Sequence, residues 1–543
     1  MDLYKKGLLF VIILCLLCSC SNGGHDEQET EQEITTVPID EKEVIKLDSK
    51  PLTIIYYSAD LWGVPVSRED NLALNFIAIS NLCEKKFGFK VKFQQYDEAT
   101  AQENVFQAYI KAGLDADLVF PSPVRPSIDP SLVQKTYFWG DRYIEDRLYT
   151  DLTPYLRLCP EAQLNFEKYP YIKEMSTRNG KTYAIYTGMP SISVLALYVK
   201  KELLEQTKTD IQSLNEIDEI YSFMYNLYGE NPPDSAQKIL LDRPEVMTEY
   251  SIYNSGYYPL FSQSFDFLLR SSDKNYIPYP IEDTEVLDYL LEKFLPFFER
   301  SYFRYDEKYM DFLFDGSQDL FLSNDPLRYI KYFTRGNQNV FQKYSIVLLK
   351  DQKPVIDRYD SILPIMVPST STQPEKAMVF MQWLMTDEDV ADILTFGSQI
   401  MNLKHYTFSE DGTILPEKNN TIYAFCHLIA NFSKKAFLYG NQAFDIGAQY
   451  RDLTYRAEYP DFYKLVESQH FYYDFLSESY RNTYLLQAKR ENFLTNRMIE
   501  WMNDPDSLSN ADTINEDLRK ITDAKALIDE AKKYISKVLE SSY

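Results

Sequence analysis

Two short loops hold the side chains best suited to gripping a polar molecule. Residues 58–64 carry Asp60 and Trp62, and residues 121–129 carry Ser122 and Arg125. Asp and Arg make charge-assisted hydrogen bonds to hydroxyls or to a charged group. An indole stacks on a flat or apolar face. Grip is the chemistry these residues suggest, rather than turnover. The chain has four histidines, His25, His405, His427 and His470, and no His-Glu-x-x-His, Gly-x-Ser-x-Gly or glycine-rich phosphate loop. His427 stands among Phe425 and Ile429 and reads as a core residue. With 81 acidic residues, some carboxylate pair will always look like a glycosidase pair, so such a pair carries little weight.

Alternating elements must position the two loops. Leu52 to Tyr57 is a strand-like apolar run. Residues 71–86 place Leu72, Phe76, Ile79, Leu82 and Cys83 on one helical face, and Gly88 stops that helix. Phe89, Val91 and Phe93 alternate with Lys90 and Lys92 as a second strand. Residues 99–112 predict a helix through Val105, Ala108, Tyr109 and Ala112, ended by Gly113. Asp117 to Phe120 is a third short strand. Right-handed crossovers make the three strands parallel. Ligands of such sheets sit beyond the carboxyl ends of strands, where strand order reverses. The loops with Asp60, Trp62, Ser122 and Arg125 lie there.

Composition narrows the partners. A net charge of −25 argues against nucleic acid, since phosphate binding needs clustered Lys and Arg. Tyr outnumbers Gly, 44 to 17, but abundance alone reflects composition, so position must decide which rings matter. After residue 20 the cysteines are Cys83, Cys159 and Cys426, without metal-type spacing. Cys83, on the apolar helix face, reads as a buried thiol.

The amino terminus sets an address. Lys5 and Lys6 precede an apolar run, Gly7 to Leu17, of about 11 residues, the length of a signal segment and too short to span a bilayer. Leu17-Cys18-Ser19-Cys20 resembles a bacterial lipobox, which implies removal of residues 1–19 and lipidation of Cys20. Residues 20–47, rich in glutamate, then read as a disordered acidic tether. No later run of about 18 apolar residues occurs. The rest is expected to be held at the extracytoplasmic face of a cell membrane.

Further motifs come in a telling order. Gly113 to Val119 is a glycine-to-aspartate approach to the third strand. Tyr149 to Tyr155 contains Asp-Leu-Thr-Pro, and Asn179 to Ile185 contains Gly-Lys-Thr-Tyr-Ala. Tyr198 to Leu204 reads Tyr-Val-Lys-Lys-Glu-Leu-Leu. Later come Leu363 to Pro368, Pro374 to Ala377, a helix with Phe380, Trp383 and Leu384, then Thr386, expected to cap the next helix by accepting from the Asp389 amide. Phe396-Gly397-Ser398, Tyr406 and Glu410-Asp411-Gly412 close the series. Over roughly residues 50–415 the chain resembles the family 1 extracellular solute-binding proteins of ABC importers, relatives of maltose-binding protein. It departs from them at Tyr186, where the family usually has proline, and over residues 240–310, which are unusually aromatic and do not align.

The resemblance implies an α/β, two-lobed periplasmic-binding-protein-like fold, each lobe a mostly parallel sheet flanked by helices. It implies one lobe from 48–186 with 352–396 and another from 187–351 with 397–543. Residues 512–539 predict one amphipathic packing helix. The implied function is capture of a small solute, an oligosaccharide by family habit, between closing lobes, for delivery to an ABC permease. No enzyme activity and no cofactor or metal are implied, and the chain is expected to be a monomer. Tyr186 and Ser398 fall at lobe crossings, Asn324 and Asp325 where the family supplies a clamp, and Tyr257 and Tyr258 in the aromatic insert. They join Asp60, Trp62, Ser122 and Arg125 as ligand-binding candidates. Two rivals are a surface glycoside hydrolase and a helical outer-membrane glycan-binding lipoprotein, which would lack the strand–helix alternation of residues 52–120.

Overall fold

In the computed structural model, the described residues are 35–38, 44–57, 69–96, 108–120, 144, 146–186, 192–261, 264–324, 340–356, 364–390, 393, 406–408, 414–416, 441–463, 481–521 and 524–540. Two compact units are present, Met1–Ser49 and Lys50–Tyr543. In the first, Thr35–Pro38 and Val44–Leu47 pair antiparallel, Thr35 opposite Leu47. This hairpin corrects the expectation of an unstructured tether over that stretch. Its Thr and Val residues favour strand despite the acidic neighbours. Cys20 and the signal segment lie outside the described residues. Among those described, no helix is long and apolar enough to cross a membrane.

The second unit opens as predicted. Strand β1 (Leu52–Tyr57) is followed by α1 (Glu69–Phe87), β2 (Val91–Tyr96) and β3 (Leu118–Phe120). The sheet order is β2-β1-β3, all parallel. Phe76, Ile79 and Cys83 are buried on the inner face of α1, and Gly88, at φ +78°, ends it. Of the next predicted helix only its end, residues 108–111, lies among the described residues. Beyond β3 the chain at Met366 runs antiparallel to Val119, and Pro368 then pairs with Tyr149. A reversed segment is thus inserted beside the third strand. Helices α2 (Pro160–Lys168) and α3 (Pro170–Ser176) come next. Asn179 and Gly180, with φ of +52° and +75°, make the tight turn of a small hairpin.

The chain then crosses to a second sheet through β4 (Ile185–Tyr186) and β5 (Ile192–Ser193), reaching β6 (Ala196–Lys200). Strand β7 (Ile239–Leu241), α4 (Val246–Asn254), the antiparallel β8 (Tyr257–Phe261), β9 (Ser264–Arg270) and β10 (Pro278–Pro280), and α5 (Val286–Glu299) follow. Then come β11 (Phe303–Tyr305), β12 (Leu320–Ser323) and β13 (Tyr344–Leu348). The sheet order is β11-β7-β12-β6-β13. β6 runs against β12 and β13, while β7 is parallel to both of its neighbours. This repeats the first sheet's plan: second, first and third strands, then one reversed segment arriving from the crossing.

The return crossing uses β14 (Val355–Ile356), antiparallel to β5, and β15 (Pro364–Ile365), antiparallel to β4. Helix α6 (Pro374–Thr386) then packs on the first sheet's side, with Trp383 edge-on to Phe87 at 5.6 Å. Asp387, not Thr386, caps the next turn: its Oδ1 accepts from the Asp389 and Val390 amides. Thr386 instead donates back to the Gln382 carbonyl at 2.7 Å, its hydroxyl finding an acceptor one turn earlier.

Helix α7 (Asn441–Thr454) and the segment after it lie against the crossing strands, and α8 (Arg481–Asn503) covers the second sheet, burying Trp501 against Phe298. Residues 512–539 form two helices where one was expected, α9 (Ile514–Ile521) and α10 (Ala524–Glu540). The aromatic insert is core: Phe297 stacks on Phe303 at 4.6 Å, and Phe294 and Tyr302 are fully buried. Such rings bury large apolar area and hold the second lobe together.

Candidate functional site

The topology fixes where the two sheets point. β6 starts at the end of β5, and its first residue Ala196 lies opposite Ser323, the last of β12. The carboxyl ends of β7, β11 and β12 therefore lie on the side where the crossing strands arrive. In the first sheet, Met366 follows the returning β15 and pairs with Val119 of β3, so its carboxyl ends also face the crossing. The carboxyl edges of both sheets, where ligands of α/β sheets bind, thus look toward the same crossing, the first at the β4–β15 pair and the second at the β5–β14 pair.

On the first edge, Asp60, Trp62, Ser122 and Arg125 lie outside the described residues, as do Asp325 and Ser398. The second edge is described. Leu241 pairs with Leu322, both buried, and the next residues out are Asp242 with Ser323, then Arg243 with Asn324. Ser323 donates to Asp242 Oδ2 at 2.7 Å. Arg243 Nη2 donates to both oxygens of Glu249, at 2.7 Å each. Asn324 donates its amide to Glu249 Oε2 as well. The structure thus places Asn324 beside Arg243, the two sharing the Glu249 carboxylate.

Charge and burial pull against each other there. The Glu249 side chain is 11% exposed and that of Arg243 41%. Burial raises the Glu249 carboxyl above its usual range, and the Arg243 charge only partly opposes this. For Arg243, burial lowers the pKa, but Glu249, Asp242 and Glu245 together outweigh it, so the guanidinium stays charged. A planar donor fork, fixed by one carboxylate and open on its other side, can bind hydroxyls or another oxygen pair.

The remaining candidates sit differently. Tyr186 on β4 is 2% exposed, and its carbonyl accepts from Asn165 at 3.1 Å. Tyr257 and Tyr258 on β8 are buried. Tyr257 donates to Glu285 at 2.8 Å and accepts from Arg270, while Tyr258 meets Tyr463 edge-on at 5.4 Å. Their rings are committed to packing. Sequence reasoning missed Arg243, Glu249 and Asp242. A signal existed, because Ile239-Leu240-Leu241 followed by Asp242-Arg243 mirrors Leu320-Phe321-Leu322 followed by Ser323-Asn324.

The crossing itself is pinned by side chains. Gln352 is buried, and its Oε1 accepts from the Leu195 amide at 2.5 Å. Tyr450 of α7 is 1% exposed, and its hydroxyl accepts from the Ile192 amide at 2.7 Å. Ile356 and Glu458 are joined by an amide-to-carbonyl bond of 3.0 Å. The same segment reaches the first lobe, where Tyr169 meets Thr454 at 2.9 Å and Tyr171 stacks on Tyr459. It also reaches β8, where the Tyr463 hydroxyl donates to the Pro259 carbonyl.

Among the described residues no cluster fit to hold a metal is found, and Cys83 and Cys159 are unpaired and buried. Burial pushes the Cys159 thiol up to about 12.

No protein-family model matches the chain, and no curated protein matches it in sequence. Solved structures do match in shape. An N-glycan transport solute-binding protein from Streptococcus pneumoniae is 13% identical, with a TM-score of 0.53, over 91% of this chain and 100% of the other. An extracellular solute-binding protein from Bifidobacterium longum subsp. infantis is 12% identical, with a TM-score of 0.50, over 90% and 99%. The chain therefore has the two-lobed α/β fold of extracellular solute-binding proteins.

Proposed function

We propose that this protein captures a small, hydroxyl-rich solute between its lobes, an oligosaccharide first of all, and passes it to a membrane permease. One observation supports the reading: both sheets turn their carboxyl edges toward the same crossing, built of the β4–β15 and β5–β14 pairs. A ligand held there touches both lobes only when they close, and that extra contact is what shifts the open–closed balance. The fold it shares with an N-glycan transport protein supports a glycan as the solute. Chemistry on the ligand is no part of this reading, which assigns the site residues to grip alone. Lipidation of Cys20 would keep the trap at the extracytoplasmic membrane face, two chains being enough for stable anchoring.

Titration calorimetry and thermal melting of the chain from residue 48, with N-glycan fragments and maltooligosaccharides, test the proposal. A micromolar ligand corresponds to about −8 kcal/mol. Present at roughly 100 times its Kd, it adds about 2.7 kcal/mol to stability. Heat of binding and a raised melting point are expected for at least one glycan, with the glycan recovered intact. Silence across the panel, or cleavage of the glycan, overturns the reading. Labelling of cells with an alkyne fatty acid, lost in Cys20→Ser, checks the anchor.

A further inference from the structure

Arg243 stands at the carboxyl end of β7, the strand between β11 and β12, where ligands of such sheets bind. Its side chain is 41% exposed although its partner Glu249 is nearly buried. Glu249 engages only Nη2. The Nε and Nη1 donors have no partner among the described residues. The fork is also braced: Asn324 holds Glu249 from the neighbouring strand end, and Ser323 holds Asp242 beside it. A braced guanidinium with unused donors at a ligand-binding edge is organised to receive something.

We infer that Arg243 is the second lobe's ligand-contacting residue and that it takes a neutral pair of adjacent sugar hydroxyls rather than an anionic group. The inference deepens the proposed function and rests on it. Local charge decides between the two ligand classes. Arg243 is surrounded by Glu249, Asp242 and Glu245. Even with no charge counted on the buried Glu249, one cation stands against the Asp242 and Glu245 carboxylates, which leaves the pocket edge negative. A carboxylate or phosphate on the ligand would meet net repulsion. Two hydroxyls accept from Nε and Nη1 with no added charge, and their own hydrogens can be donated to nearby carboxylate oxygens. The planar fork spans two adjacent oxygens, which an ammonium point charge does not.

The test is calorimetry on the chain from residue 48 with neutral oligosaccharides and their counterparts carrying a single uronic acid. The wild type is expected to favour the neutral form of its best ligand by about tenfold or more. Arg243→Lys keeps the charge and the pairing with Glu249 but loses the fork. It is expected to weaken that ligand about tenfold or more while the melting point stays put. Should Arg243→Lys misfold, the double change Arg243→Gln with Glu249→Gln removes both charges together and is expected to weaken the same ligand about tenfold or more. Unchanged affinity in Arg243→Lys and in the double variant overturns the clamp while leaving solute capture standing. A preference for the uronic acid form overturns the ligand class. Failure of the wild type to bind any of the panel overturns solute capture and the clamp together.

Discussion

Arg243 and Glu249 meet through one guanidinium nitrogen and two carboxylate oxygens, 2.7 Å apart in each case. The geometry is lopsided: both carboxylate oxygens are engaged while half of the fork is left over. Asn324, from a different strand, adds a further bond to the same carboxylate.

Glu249→Gln keeps the shape and removes the charge. Its cost in stability is expected to be about 1 kcal/mol, because the Arg243 side chain is 41% exposed and solvent screens the pair. Ligand affinity should fall as the guanidinium loses its brace. Urea denaturation beside calorimetry measures both. A larger loss of stability than of affinity would make the pair a scaffold rather than a site.

The buried triad of the insert behaves otherwise. Arg490, fully buried, donates to Asp266 at 2.5 Å, to Glu282 and to the Leu518 carbonyl at 3.2 Å. Arg490→Met strands two carboxylates in the core and is expected to cost about 3–5 kcal/mol. Adding Asp266→Leu and Glu282→Leu should recover most of it. Chemical denaturation of the single and triple variants decides, and a single variant as stable as wild type would contradict the triad.

Burial raises the Asp266 carboxyl to about 6; Arg490 opposes this and Glu282 adds to it. Raised above its unfolded value, this group stabilises the fold most below about pH 3.9. That contribution is lost as pH rises through about 6. Asp266→Asn has no such titration. The stability of wild type relative to Asp266→Asn should therefore fall between about pH 4 and 7. A difference that rises over that window would refute the assignment.

Tyr450→Phe removes the acceptor of the buried Ile192 amide. An unsatisfied buried amide costs about 1–3 kcal/mol. Ile192 belongs to a crossing strand, so every ligand's affinity should shift by a similar factor, without loss of selectivity. Calorimetry with two different glycans reads this out. A change in selectivity would place Tyr450 in the ligand site instead.

Much of the fold was legible. The alternation of residues 52–120 gave parallel strands and a helix, and Gly88 ended that helix for the backbone reason expected of it. Cys83 was a buried thiol as its helical face foretold. The site was less legible. Tyrosine carries both stacking and core packing, and Tyr257 and Tyr258 proved to be packing. Arg243 and Glu249 are six positions apart, joined only once β7 and α4 are folded together. No local period announces such a pair. The reversed segments escaped notice for a similar reason. Val119 meets Met366 far along the chain, and only the order of motifs hinted at the return.

The distance along the chain between Ile192 and Tyr450 has its own consequence. Their bond spans 258 residues. At synthesis rates of about 5–20 residues per second, the tyrosine follows the amide by tens of seconds. During that interval the crossing strand exists without its brace, and until Met366 follows, the first sheet lacks its reversed member. A ribosome stalled before codon 450 thus leaves a chain whose first sheet can already hold Met366 but whose crossing strand at Ile192 waits for the Tyr450 hydroxyl.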